Sequence, residues 1–197
     1  MKEYYDTRAP EYDDWYLGLG GFAGRDRPGW DAELATLVAT IAALPPGRTL
    51  DVACGTGFLT QHLRGAVVAL DQSERMLAQA AIQAPHATLV QGDGLALPFP
   101  NDSFSRVFSG HFYGHLDPDE RGRFLAEVDR VATELVIVDA SRAASNIDEE
   151  VQTRVLDDGS EWQVFKRWFT GARLLEELGG GEVLHEGHWF VVVRSPR

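Results

Sequence analysis

Arg48-Thr49-Leu50-Asp51-Val52-Ala53-Cys54-Gly55-Thr56-Gly57-Phe58-Leu59-Thr60 is the stretch on which the fold of this chain turns. Its first six residues read as a short strand and Gly57 to Arg64 as a helix. Between them, Gly55 and Gly57 let the backbone turn sharply and approach a ligand closely, and the helix that follows presents unpaired N–H groups to a negative or dipolar group. Strand, glycine turn and helix in that order point to a nucleotide-like ligand. A dinucleotide is a poor match, because its fingerprint would have a third Gly or Ala where Thr60 stands and an acid ~20 residues on. Here the acid is Asp71, only 14 residues past Gly57.

Outward from this stretch the chain alternates. Ala66 to Leu70 is an apolar strand without polar alternation, as when both faces of a sheet are covered. Ser73 to Ala84 is a helix with Ser73 as its N-cap, and Ala87 to Gln91 is a third strand. A Gly- and Pro-containing loop, Gly92 to Asp102, leads to a fourth strand at Phe104–Ser109, and a fifth is expected at Glu134–Asp139. Asp117-Pro118-Asp119-Glu120 opens the helix between them with an N-cap acid, a proline at the first helical position and an acid at the third. Upstream, Asp31 to Leu44 sets Leu34, Leu37, Val38, Ile41 and Leu44 at helical spacing before Pro45-Pro46-Gly47. Downstream come a helix near Ile147 to Val155, a turn at Asp157-Asp158-Gly159, the segment Glu161 to Phe169, and a Thr170-capped helix to Leu178. Runs at 182–185 and 188–194 close the chain as a hairpin. The expectation is an α/β fold: a doubly wound, Rossmann-like, mostly parallel seven-stranded sheet with an antiparallel terminal hairpin. Ligands of such sheets lie outside the carboxyl ends of the strands.

Composition narrows the partners. The 197 residues suit one domain, and 44% hydrophobic residues supply its core. Eighteen Lys and Arg against 30 Asp and Glu leave a net charge of −12, which repels nucleic acid and anionic membranes alike. Cys54 stands alone, so no internal disulfide and no CxxC metal pair is available, and a reducing cytoplasm fits. The start Met1-Lys2-Glu3-Tyr4-Tyr5-Asp6 lacks the apolar run of a signal peptide, and no stretch approaches the ~18 apolar residues of a membrane span. A soluble, cytoplasmic protein is expected.

Four ordered motifs carry a family resemblance. Leu50 to Thr60 resembles the D-x-G-x-G-x-G loop of class I S-adenosylmethionine-dependent methyltransferases, with Ala53 where the first glycine stands in the family. Leu70-Asp71-Gln72-Ser73 is similar to the acidic end of their second strand, Gln91-Gly92-Asp93-Gly94-Leu95 to the acid after their third, and Leu97 to Phe104 to the loop into their fourth. The likeness is strong over about 45–140 and loose elsewhere. It implies a single methyltransferase domain over 1–197, with 1–30 as a lid-like segment, 31–140 as the cofactor-binding core and 141–197 as the substrate side. It also implies S-adenosyl-L-methionine as cofactor. Asp51 and the backbone of Ala53, Cys54, Gly55 and Gly57 would hold its methionine end. Asp71 would accept the ribose hydroxyls, Asp93 the adenine amino group, and Gln72, Met76, Gly94 and Leu95 would flank the base. Ser109, at the end of the fourth strand, joins this cofactor set.

Methyl transfer from a sulfonium needs mainly orientation and exclusion of water, so a catalytic base is optional. The base candidates are His111 and His115 in Ser109-Gly110-His111-Phe112-Tyr113-Gly114-His115, either of which could accept a proton or shape the loop. As metal ligands they lack a third partner, and no metal is expected. The aromatic N-terminus, with Tyr4, Tyr5, Tyr12 and Trp15, resembles a lid that closes over an apolar acceptor, or packs on the sheet; Tyr113 and Trp162 are further candidates for the acceptor pocket. A small-molecule acceptor fits the acidic charge and the absence of the Asp/Asn-Pro-Pro-Tyr-type run of nucleic-acid amino-methyltransferases. The competing readings are a catalytically silent cofactor-binding module or subunit and a nicotinamide oxidoreductase.

Overall fold

Residue alternation in the central strands sorts the core into two layers. In the strand Glu134–Ala140, Leu135 and Ile137 join the cluster of Phe124, Val128 and Leu174, while Val136 and Val138 join Leu37, Ile41 and Trp30 on the opposite face. Both sets are fully or almost fully buried, as a sheet sandwiched between helices requires.

The computed structural model describes residues 2–197. Strands β1 (Gly47–Val52), β2 (Gly65–Asp71), β3 (Thr88–Gln91), β4 (Arg106–Gly110) and β5 (Glu134–Ala140) are parallel. Two further strands, β6 (Glu149–Val155) and β7 (Glu161–Arg167), form a separate two-stranded sheet, and β8 (Glu182–Glu186) and β9 (Phe190–Pro196) complete the main one. Its order is β3-β2-β1-β4-β5-β9-β8, with β9 antiparallel to β5. The order reverses beside β1, so the end of β1 opens into the crevice between β2 and β4.

The helices are α1 (Lys2–Arg8), α2 (Asp14–Leu17), α3 (Trp30–Ala43), α4 (Glu74–Gln83), α5 (Pro118–Val131) and α6 (Gly171–Leu178). Ser73 caps α4 by accepting from Met76, Thr170 caps α6, and Asp117 and Glu120 close a reciprocal capping box on α5.

Two expected helices differ. The one expected over 57–64 reduces to a single 3-10 turn at Thr60–His62, because Gly57 (φ +85°) is held against Ala80 of α4 and the chain must reach β2 within a few residues. The one expected near 147–155 is β6. Val151, Thr153 and Val155 alternate with Gln152 and Arg154, a period of two that suits a strand, and the Asp157-Asp158-Gly159 turn joins it to β7 as a hairpin. Among the described residues, no helix is long and apolar enough to cross a membrane.

Candidate active site

The turn after β1 is built on left-handed backbone. Ala53 (φ +59°), Gly55 (+56°) and Gly57 (+85°) all take it, so alanine adopts the conformation a glycine would hold more cheaply. Gly55 donates to one carboxylate oxygen of Asp71 and Ser73 donates to the other, each at 2.9 Å. Each oxygen keeps a lone pair for a further donor. Asp71 is 7% exposed, and burial raises its pKa against the pull of these backbone bonds. Asp51 accepts from Thr60 at 2.6 Å, and burial, with Asp71 nearby, pushes its pKa up to about 7. Asp93 accepts from the Leu95 backbone at 2.9 Å and is exposed.

These strand ends open into one cavity of about 260 Å³. Ala53, Gly55, Asp71, Gln72, Asp93, Gly94 and Leu95 line it on the side of β1 to β3; Tyr5, Tyr12, His111 and His115 line it from the other elements. Asp51 and Cys54 lie beside it, around a small neighbouring cleft shared with Tyr12 and Ala53. Burial holds the Cys54 thiol well above its ordinary range, so it is protonated rather than nucleophilic.

Other expected site residues stand outside the lining. Gly57 is a packing glycine: a Cβ there would lie 3.1 Å from Ala80 Cα. Met76 is fully buried in α4, and the Ser109 hydroxyl donates to the Val52 carbonyl at 3.1 Å. Tyr4 packs against Trp162 with their rings 5.7 Å apart, in a small core with Leu156 and Val164. Trp15 meets His111 edge-on at 4.9 Å, and Tyr113 is buried against Phe124 and Phe169.

The N-terminal segment is tied to the turn by acids. Asp6 accepts from the Ser73 hydroxyl and Asp13 from the Thr56 hydroxyl, both at 2.6 Å, while the Tyr12 ring covers Gly55. The two histidines differ in their partners. His115 donates from Nδ1 to the Phe165 carbonyl of β7 at 2.6 Å, which leaves Nε2 as its acceptor nitrogen. His111, in left-handed backbone, keeps Nε2 buried without a partner. Burial lowers the pKa of His111 to about 4 and that of His115 well below its usual value, helped there by Lys166 and Arg154. Both rings are therefore neutral at pH 7.

Sequence reading passed over the groups around them. Lys166 of β7 pairs with Asp139 of β5 at 2.8 Å, both buried, and Asp139 also accepts from the Gly114 backbone at 2.7 Å. Asp139, an acid at a strand's carboxyl end like Asp71, was findable by the same rule; Lys166 and Arg154 became visible only with the β6–β7 hairpin.

A family of methyltransferase domains matches residues 49–135, from within β1 to the start of β5, a span that includes the cavity's acidic side. The DhpI–SAM–HEP complex is 26% identical and superposes with a TM-score of 0.78 over 99% of this chain and 94% of that one. This chain belongs to the class I S-adenosylmethionine-dependent methyltransferases. An uncharacterized methyltransferase of Alkaliphilus oremlandii is 24% identical to this methyltransferase over 80% of the chain and 76% of the relative. The demethylmenaquinone methyltransferase of Renibacterium salmoninarum is 38% identical, over 48% of the chain and only 40% of that enzyme. The cofactor of this chain is S-adenosyl-L-methionine. The acceptor set suits that molecule: Asp51, Asp71 and Asp93 offer carboxylate oxygens at successive strand ends, and an amine, two ribose hydroxyls and an adenine amino group are all donors.

Proposed function

We propose that this methyltransferase acts on a small-molecule acceptor held between the lid-like segment 1–30 and the region 141–197, with 31–140 holding the cofactor. The observation that supports this reading is that one cavity is lined by Asp71, Asp93 and the glycine turn and also by Tyr5, Tyr12, His111 and His115, with region 141–197 placed behind that lining through the bond from His115 to the Phe165 carbonyl. Cofactor contacts and acceptor contacts thus meet across a single space.

The bound cofactor supplies a methyl group already activated on a sulfonium. Asp71 would hold the ribose hydroxyls, accepting from them on carboxylate oxygens already fixed by Gly55 and Ser73, and the turn at Ala53–Gly57 with Asp51 would hold the methionine end. Tyr12 and the N-terminal segment cover the turn and exclude water, which would otherwise compete for these bonds. His115 presents Nε2 to the cavity as a hydrogen-bond acceptor that orients the acceptor molecule, since a ring with so low a pKa stores no proton near neutrality.

Asp71→Ala tests the assignment. Calorimetric titration with S-adenosylhomocysteine should show binding weakened by ~1.5 to 3 kcal/mol, the worth of hydrogen bonds to a charged group. Unchanged affinity would remove Asp71 from the cofactor site.

A further inference from the structure

Four basic side chains are buried among the described residues: Arg8, Arg106, Lys166 and Arg167. Arg106 pairs with Glu134, Lys166 with Asp139 and Arg167 with Glu177. Among the described residues Arg8, 9% exposed, has no carboxylate within ion-pair distance and hydrogen-bonds only to the Tyr4 hydroxyl. The rings of Tyr4 and Tyr12 flank it, with centroids 5.7 and 5.0 Å from the guanidinium carbon. A guanidinium carries five N–H donors, so most of those on Arg8 lack a protein acceptor.

The same hydroxyl accepts from a second guanidinium, Arg154 of β6, at 3.1 Å. Arg154 also has no carboxylate partner, and its other bonds go to the neutral Gln152 amide oxygen. The two acids nearest Arg8 in sequence are engaged elsewhere: Asp6 pairs with Lys2 and accepts from the Ser73 hydroxyl, and Glu11 accepts from the Asp157 backbone at 2.8 Å. Two cations therefore converge on one neutral oxygen in a chain of net charge −12. The free donors of the two guanidinium groups reach solvent rather than a protein acceptor, so an entering anion can take them and supply the counter-charge that the chain leaves out.

The position of the pair selects the anion. Arg8 and Arg154 stand directly behind the cavity's lining: Arg8 lies over Tyr12, which lines it, and Arg154 and Lys166 both act electrostatically on His115, which lines it as well. The opposite wall carries Asp71 and Asp93. Acids thus face the cofactor's donors and bases back the acceptor's end.

We propose that the acceptor carries an oxyanion, a carboxylate or a phosphorus oxyanion, which docks against Arg8 and Arg154 and draws the N-terminal segment onto the β6–β7 hairpin. The proposal rests on the methyltransferase reading of this cavity. It also fits a wall whose two histidines are neutral, because an acceptor that arrives as an oxyanion brings its lone pair without needing a base.

Calorimetric titration of the full chain loaded with S-adenosylhomocysteine provides the test, with benzoate, phenylphosphonate and the neutral isostere benzamide as probes. The anions should bind at least tenfold more tightly than benzamide, and the stronger of the two identifies a planar or a tetrahedral group. R8Q and R154Q should each reduce that preference about tenfold, with S-adenosylhomocysteine affinity kept within twofold; R8K should retain part of it. Arg154 is part-exposed, so R154Q and R8K keep the test decisive should R8Q fail to fold. Equal or absent binding of all three probes would overturn the proposal. So would an R8Q variant that loses S-adenosylhomocysteine affinity while keeping the anion preference, since Arg8 would then serve the cofactor's own carboxylate. Failure of the unaltered chain to bind S-adenosylhomocysteine would instead overturn the placement of the cofactor.

Discussion

The ends of β1 to β3 and the wall made by the N-terminal segment with the β6–β7 hairpin face each other across one cavity, and they are built differently. At the strand ends the polar contacts lie nearer in sequence: Asp71 holds Ser73 two positions on and Gly55 sixteen positions back, and Asp93 holds Leu95. On the facing wall they span most of the chain, from Tyr4 to Arg154 across 150 positions and from His115 to Phe165 across 50. Turn chemistry makes the cofactor side and tertiary packing makes the acceptor side. A new acceptor could therefore be fitted by changing the wall and leaving the sheet intact.

The sharpest way to break this division is at Asp139, which anchors the wall to the sheet. Asp139→Ala strands Lys166 as a buried uncompensated charge and should cost ~3 to 5 kcal/mol in urea unfolding, most of it recovered in D139L/K166M. At a temperature where the variant is folded, S-adenosylhomocysteine affinity should change less than about twofold; a larger loss would mean that the two sides are one unit.

Asp51 gives a smaller effect on the cofactor side. Its folded-state pKa of about 7 lies above the 3.8 of an unperturbed aspartate, so the folded chain binds an extra proton between those values and its stability falls as pH rises through that window. Asp51→Asn should therefore raise the stability of the ligand-free protein at pH 8 by ~2 to 4 kcal/mol and flatten its dependence on pH between 5 and 8. Urea unfolding at those two pH values checks both, and an unchanged slope would deny Asp51 its burial cost.

The smallest change sharpens the line within the turn itself. Gly57→Ala forces left-handed backbone on a residue whose Cβ would sit 3.1 Å from Ala80, at ~1 to 2 kcal/mol by thermal unfolding. Cofactor affinity should fall less than with Asp71→Ala, because Gly57 packs on α4 and does not line the cavity.

Legibility in the sequence followed the same division. Asp71, Asp93 and the glycine turn were readable because strand, turn and helix cap are each encoded within a few residues. Ser73 and Asp117 announced their helices by capping chemistry alone. The hairpin was missed because Ile147 to Val155 admits two periods, and the strand pairing that decides between them involves residues Glu161 to Arg167. Tyr4, Trp15, Tyr113 and Trp162 were grouped as pocket aromatics; aromatic composition cannot tell a wall from a core, and all four stand outside the cavity lining.

By itself the sequence determined a doubly wound sheet, the order of its parallel strands' motifs and the acids at their ends, because backbone turns and hydrophobic alternation act over short distances. Only the tertiary structure decided that Arg8 and Arg154 share one hydroxyl, that Lys166 lies buried on Asp139, and that His115 has its tautomer set by β7. Those contacts join residues remote along the chain, and the free energy that holds them comes from burial, which no local stretch of sequence contains.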